Sequence, residues 1–132
     1  MRVLLDSNVW LAILTTDGFC RGVWRTARRA HRFIASLDVL DEIEEKLREK
    51  FGFSPRHARL MAFFVEQQTE AVRVVSSIHL CRDADDNRIL AAALDSGCSH
   101  LVTGDADLLV LKTFEGIRIV TPREFMELVS AA

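Results

Sequence analysis

Hydrophobic and polar positions along the chain follow two periods, which predict alternating strands and helices. Arg2–Leu5 is a short apolar run typical of a buried strand, and the cap-favouring residues Asp6-Ser7-Asn8 follow it. After Ser36, which is a favourable N-cap, apolar residues recur at three- and four-residue steps, the pattern of a helix with one buried face. This predicted face consists of Leu37, Leu40, Ile43, Leu47 and Phe51.

The remaining elements are predicted from the same patterns. Helices are expected at residues 9–14, 21–30, 55–65, 85–94 and from Pro122 onward, and strands at 31–35, 72–75, 100–103 and 117–120. Ser54-Pro55, Gly97 and the capping box Thr121-Pro122-Arg123-Glu124 mark helix ends. Strands that alternate with helices require parallel crossovers, so we expect an α/β fold of three layers, α/β/α, around a parallel sheet of four or five strands.

Composition narrows the class of protein. A chain of 132 residues with 49% hydrophobic residues, two prolines and six glycines is expected to form one compact domain over residues 1–132. A net charge of −2 excludes a uniformly basic protein that coats nucleic acid. The three cysteines are far apart and form no CxxC pair, so we expect buried thiols and neither a disulfide framework nor a thiolate zinc site.

The distribution of apolar residues bears on where the protein acts. No apolar run approaches the ~20 residues of a membrane helix. We therefore expect a cytoplasmic protein with no membrane partner.

Acidic side chains occur where parallel strands end, which is where open α/β sheets place their functional crevice. Asp6 follows the first strand, Asp105 follows the fourth, and Asp83, Asp85 and Asp86 open a helix. Carboxylates that converge in one crevice repel one another unless a cation lies between them. Ligands that are all oxygen favour Mg²⁺ or Mn²⁺ over zinc, so the pattern predicts a site that hydrolyses phosphodiesters with such an ion.

Two of these acid groups have a simpler interpretation that the sequence leaves open. Asp85 or Asp86 can serve only to complement the dipole of its helix. Glu42 lies about 100° from the buried Ile43 and can reach a cleft, but it also belongs to a solvated acidic run. That run is Asp38, Asp41, Glu42, Glu44, Glu45 and Glu49.

A phosphate-bearing partner needs a positive surface, and one stretch provides it. No acid lies between Asp17 and Asp38, a segment with five arginines. Four of them step at helical spacing and are predicted to share one face that contacts RNA, unless that face is merely solvated: Arg25, Arg28, Arg29 and Arg32. Trp10 and Trp24 can stack on bases, but core positions are the favoured interpretation.

Four segments, taken in order, resemble the PIN-domain ribonucleases, a family that includes the VapC-type toxins of bacterial and archaeal toxin–antitoxin pairs. The resemblance covers nearly the whole chain. The segments are Leu5-Asp6-Ser7-Asn8-Val9, Ser36 with Leu40 and Glu42-Ile43, Asp83-Ala84-Asp85-Asp86-Asn87 with the apolar residues after it, and Leu101-Val102-Thr103-Gly104-Asp105-Ala106-Asp107. Family members usually have a proline where this chain has Ala84.

The resemblance implies a set of functional residues. Asp6, Glu42, Asp86 and Asp105 are expected to hold Mg²⁺ or Mn²⁺, with Asp86 preferred over Asp85 because it stands three residues before Ile89. Asp107 competes with Asp105 for the fourth position, since many relatives have an acid before an apolar residue there. Neighbouring polar side chains are expected to orient the ligands or water: Ser7, Asn8 and Thr103.

The resemblance also implies an activity and partners. We expect a metal-dependent endoribonuclease with a PIN-like fold, the toxin of a pair whose small antitoxin covers the groove, and a homodimer. Two alternatives stay open: a non-catalytic PIN-like module that binds a partner protein, and a PIN nuclease of RNA processing without an antitoxin.

Overall fold

The computed structural model describes residues 1–131, and within them the chain forms six strands and seven helices. The strands are β1 (Arg2–Leu5), β2 (Arg32–Ser36), β3 (Glu70–Val72), β4 (His100–Val102), β5 (Thr113–Phe114) and β6 (Ile117–Val120). The helices are α1 (Ser7–Thr15), α2 (Phe19–Ala27), α3 (Leu37–Glu49), α4 (Pro55–Gln68), α5 (Ala84–Asp95), α6 (Ala106–Leu109) and α7 (Pro122–Ser130).

The strands form one sheet in the order β3-β2-β1-β4-β6-β5, and all neighbours are parallel except β5 and β6. The predicted α/β fold with a central parallel sheet is confirmed. The strand order reverses between β1 and β4, because the chain builds outward from β1 to β3 and then returns to the other side of β1. The carboxyl ends of β1 and β4 therefore meet at a switch point of the topology.

The sheet differs from the prediction at both edges. The sixth strand, β5, was not predicted, because two residues joined to β6 through Gly116 (φ +81°) are too short to show an alternating pattern. The third strand occupies residues 70–72 and not 72–75. Val72 pairs with Ser36, the last residue of β2, so the residues after Val72 have no strand to pair with.

Helices cover both faces of the sheet, as predicted. Phe33 of β2 contacts Trp24 edge-on at 4.9 Å between ring centroids and lies 6.4 Å from Phe125, which places α2 and α7 over one face. The next residue, Ile34, points to the opposite face and is fully buried where α5 contacts β2. Trp10 packs 5.1 Å from Trp24, so both tryptophans belong to the core.

Helix α3 buries Val39, Leu40, Ile43 and Leu47, which differs at its ends from the predicted face. Leu37 is exposed because it is the first residue after the N-cap and lies before the turn that faces the core. Phe51 is exposed because the helix ends at Glu49.

Helix α2 ends at Ala27, so the prediction that four arginines share one helical face is wrong. Arg25 is on the helix, whereas Arg28 and Arg29 lie in the turn after it and Arg32 opens β2. The early end follows from the packing: Phe33 must enter the sheet only six residues after Ala27, which leaves no room for another helical turn.

The predicted helix ends are confirmed. Ser36 and Ser54 each accept a hydrogen bond from the backbone N–H three residues on, at 3.2 Å. Thr121 and Glu124 form the reciprocal capping box, and Gly97 adopts φ +66° after α5.

Two further predictions concern the burial of the cysteines and the absence of a membrane-spanning helix. All three cysteines are free; Cys98 is buried, whereas Cys20 and Cys81 are only half-buried, which corrects the prediction for those two. Within residues 1–131, no helix has both the length and the apolar character needed to cross a bilayer.

Two leucines of α3 provide a matched test of this packing. Leu47 is 0% exposed and Leu37 is 59% exposed. Leu47→Ala is expected to lower the free energy of unfolding by about 2–5 kcal/mol, because it removes buried methyl groups and leaves a cavity. Leu37→Ala is expected to change it by less than about 0.5 kcal/mol. Urea denaturation monitored by tryptophan fluorescence measures both, and equal losses would contradict the assigned face.

Candidate metal centre

Two predicted acids lie at the switch point because each caps the helix that follows its strand. Asp6 follows β1 and caps α1, accepting a hydrogen bond at 2.7 Å from the backbone N–H of Ser7. Asp105 lies three residues after β4 and caps α6, accepting one at 2.9 Å from the backbone N–H of Asp107. Each cap uses one carboxylate oxygen, so the other oxygen is left for further contacts.

Thr103 joins the ends of the two central strands. Its Oγ1 donates a hydrogen bond at 2.9 Å to Asp6 Oδ2 and accepts one at 3.0 Å from the backbone N–H of Asp105. The side chain is fully buried, so these two bonds fix its hydroxyl. Thr103 thereby sets the orientation of the Asp6 carboxylate relative to the Asp105 backbone.

Asp86 brings a third acid to the same place. It lies in the first turn of α5 and is only 7% exposed. Carboxylate oxygens of Asp86, Asp105 and Asp107 all lie within 4.8 Å of one another, a separation that one cation can span. Asp85, the alternative in the sequence, is exposed and pairs with Arg88.

Glu42 completes the group from helix α3. Its Oε1 lies 2.8 Å from Nζ of Lys46, one turn later, and the same Nζ donates a hydrogen bond at 3.2 Å to Asn8 Oδ1. Asp6, Glu42, Asp86 and Asp105 therefore line one open cleft of about 810 Å³, whereas Asp107 lies outside its lining. Much of the acidic run of α3 also lines the cleft. The run is therefore both exposed to solvent and part of the site, so the two interpretations of Glu42 do not exclude each other.

The charge of the cleft is strongly unbalanced. Only three cations line it, Lys46, Lys50 and Arg88. The ten carboxylates of the lining are Asp6, Asp38, Asp41, Glu42, Glu45, Glu49, Asp83, Asp85, Asp86 and Asp105.

Burial and this imbalance together shift the protonation of the acids in the cleft. The pKa of Asp86 is raised to about 6, chiefly by burial, and also by a hydrogen bond shared with Asp105 and by the charges of Asp105, Asp83 and Asp6. Burial also raises the pKa of Asp6, although its hydrogen bonds from Thr103 and Ser7 oppose the shift. The candidate ligands are carboxylate oxygens, which suit hard cations, and so many neighbouring carboxylates cannot all be ionised without a cation between them. The residues therefore fit a divalent cation such as Mg²⁺ or Mn²⁺.

The other predicted site residues fall into two groups. Ser7 and Asn8 line the cleft beside Asp6. None of the four arginines lines it, and Arg25 lies 3.6 Å from Asp17 in an ion pair. The cleft cations were not predicted, although the spacing of Glu42 and Lys46 at i, i+4 is a recognisable signal for an ion pair.

The sequence matches the family profile of the PIN domain over residues 2–107. The chain belongs to the PIN-domain family. The predicted resemblance is thus confirmed over most of the chain, and it includes all the acids that line the cleft. A comparison with curated proteins gave no significant match.

Solved structures share this PIN fold at low sequence identity. VapBC2 from Rickettsia felis, in a crystal structure bound to a DNA fragment from its promoter, is 12% identical with a TM-score of 0.70, over 92% of this chain and 98% of that one. DNA-bound VapBC from Salmonella typhimurium is 16% identical with a TM-score of 0.67, over the same shares. The PIN-domain endonuclease Utp24 is 22% identical with a TM-score of 0.54, over 91% of this chain and 84% of that one.

The stability of the metal-free protein is expected to fall with rising pH because of Asp86. Its pKa is about 6 in the folded state and 3.8 as a free group, so the folded chain binds more protons between these values. The stabilisation is therefore complete below the lower pKa and is lost as the pH rises through the higher one. Asp86→Asn is expected to be more stable than the parent by roughly 1–3 kcal/mol at about pH 7.5 and to lose this advantage at about pH 4.

Urea denaturation in chelator at both pH values measures this effect. Asp85→Asn is the matched control, since Asp85 is an exposed neighbour on the same helix turn. An advantage of Asp86→Asn that does not change with pH would contradict the assignment.

Thr103 offers a second test of the centre. Thr103→Val keeps the shape of the side chain but removes the hydroxyl that holds Asp6 and the Asp105 backbone. We expect affinity for Mn²⁺ to fall by about 10–100-fold, as is usual when a group that orients a ligand is lost. Calorimetric titration measures it, with the exposed Thr113→Val as control. Unchanged affinity in Thr103→Val would show that the bridge does not position the ligands.

Proposed function

We propose that this protein is a metal-dependent endoribonuclease that hydrolyses RNA phosphodiester bonds, with residues 1–132 acting as one nuclease domain. The proposal is carried by one observation: Asp86, a buried carboxyl with a pKa of about 6, lies in a cleft beside Asp6, Glu42 and Asp105 in a chain of the PIN family. Acids kept this close in a partly buried site are costly to the fold, so a functional reason for them is expected.

The four acids have distinct supports within this proposal. Asp6 presents Oδ2 with its orientation fixed by Thr103, and Asp86 is held by helix α5. Glu42, which pairs with Lys46 at 2.8 Å, would offer its carboxylate to the cation. A bound Mg²⁺ or Mn²⁺ supplies the Lewis acid that activates water and balances the charge that develops on the phosphate.

The fourth position has two candidates. Asp105 lines the cleft and is fixed by its cap to α6, which favours it as the ligand. Asp107 is exposed, but its carboxylate reaches the same point as those of Asp86 and Asp105. We propose Asp105 as the fourth catalytic carboxylate that binds the cation, with Asp107 as an additional ligand.

The biological setting is proposed from the similar structures. Two of them are VapBC structures, which supports a toxin role with a small antitoxin as partner. A cytoplasmic location is part of this proposal. A homodimer is part of the same proposal. The similarity to the endonuclease Utp24 supports the second candidate, a PIN nuclease of RNA processing without an antitoxin.

Removal of the metal tests the activity. The purified protein is expected to cleave defined RNAs in Mg²⁺ or Mn²⁺ and to lose cleavage in chelator. Asp6→Asn is expected to lower the rate by at least about 100-fold, because it removes a charged ligand while keeping the cap of α1.

Glu66→Gln, which changes an exposed carboxylate of α4, is the control and should retain the parental rate. If the parent protein cleaves none of the RNAs in either ion, or if Asp6→Asn cleaves as well as the parent, the nuclease proposal is wrong. The first result would favour the non-catalytic, protein-binding alternative.

A further inference from the structure

The charge of the cleft raises the question of what holds the RNA. Ten carboxylates and three cations line it, and two divalent ions do not cancel that excess. RNA is a polyanion whose affinity for proteins comes mainly from contacts of lysine and arginine with phosphates. The cleft therefore repels all of the strand except the phosphate at the cation, so the binding energy must come from another surface.

The opposite edge of the sheet provides such a surface. Strands β1, β2, β4 and β6 are parallel, so their amino ends lie together at the edge away from the cleft. Arg32 is the first residue of β2, Arg118 the second residue of β6, and Arg28 and Arg29 form the turn that leads into β2. We call these four residues the amino-edge arginines.

These arginines are available for binding. All four are exposed, and within residues 1–131 none forms an ion pair. Glu70 lies near Arg32 at this edge, but both of its oxygens accept hydrogen bonds from Arg2, at 3.0 and 3.3 Å. Arg25 differs, since Asp17 pairs with it.

His100 lies beside the amino-edge arginines. It is paired in register with Arg118, and its Nε2 is buried without a hydrogen-bond partner among the described residues. Burial lowers the pKa of His100, and the charge of Arg118 lowers it further. Both effects disfavour the charged imidazole, so the positive charge of the surface comes from the arginines.

We propose that the amino-edge arginines form a second RNA-contact surface, which binds backbone phosphates several nucleotides away from the bond that is cleaved. The inference rests on the proposed function, because it assigns the surface to the substrate of the cleft. Strands of four to five residues separate the two edges by about 15 Å. An RNA of two nucleotides is shorter than this separation and cannot occupy both sites, so affinity must depend on RNA length.

The experiment compares RNAs of about 20 nucleotides and of two nucleotides, bound to protein that carries Asp6→Asn to prevent cleavage. In this background, Arg28→Gln, Arg29→Gln and Arg32→Gln are combined. Fluorescence anisotropy in Mg²⁺ is expected to show a Kd for the long RNA raised by about tenfold or more, and a dependence of log Kd on log salt that is about two units shallower. The Kd for the short RNA should not change.

A matched variant removes three exposed arginines elsewhere, Arg48, Arg56 and Arg73, each also changed to Gln. It is expected to bind both RNAs as the parent does. Equal weakening in the two triple variants, an unchanged salt dependence, or the same loss on the short RNA would overturn the proposal. The proposal would also be overturned if a DNA duplex bound the parent as tightly as the long RNA does and lost this binding in the variant without Arg28, Arg29 and Arg32.

Cleavage by the protein with Asp6 intact separates this inference from the proposed function. At saturating concentration, the short RNA should be cleaved at the same rate with and without the amino-edge arginines. With RNA well below saturation, a kcat/KM that is the same for both RNA lengths in both proteins would refute the second surface alone, whereas no cleavage of either RNA would refute the nuclease.

Discussion

Repulsion among the carboxylates at the carboxyl edge of the sheet is the constraint to which the rest of the structure responds. Asp6, Asp86 and Asp105 come from three separate parts of the chain, and only the packed sheet and helices force them together. The cost appears in the protonation of Asp86, which burial and its acidic neighbours hold near a pKa of 6. A core of fully buried strand residues must therefore offset a local electrostatic penalty, as is common where function opposes stability.

The chain lessens that penalty by giving single residues two tasks. Asp6 and Asp105 each cap a helix, so part of their negative charge faces the positive end of that helix. Thr103 binds both strand ends through one hydroxyl. Lys46 holds Glu42 and Asn8 together. The sequence alone suggests a choice between a structural helix cap and a functional ligand. Asp6 and Asp105 make that choice unnecessary, because each caps a helix and also lines the cleft.

Local signals in the sequence predicted the parts of the fold that local physics controls. The N-caps at Ser36 and Ser54, the capping box at Thr121 and the left-handed Gly97 depend on a few neighbouring residues, and all were confirmed. Strand β5 and the end of β3 depend on pairing partners distant in sequence, so they were missed. The acids were found because strand ends and family motifs mark them. The location of Arg28, Arg29 and Arg32 depends on where α2 stops, which tertiary packing decides.

The two outermost strands of the sheet are short: β3 has three residues and β5 has two. An outer strand presents unpaired N–H and C=O groups, and a long one acts as a template on which further chains can add. Here neither edge strand offers enough consecutive unpaired backbone groups to bind a stable extra strand. The brevity of β3 and β5 therefore protects a nearly all-parallel sheet, which is rich in apolar side chains, against growth into aggregates.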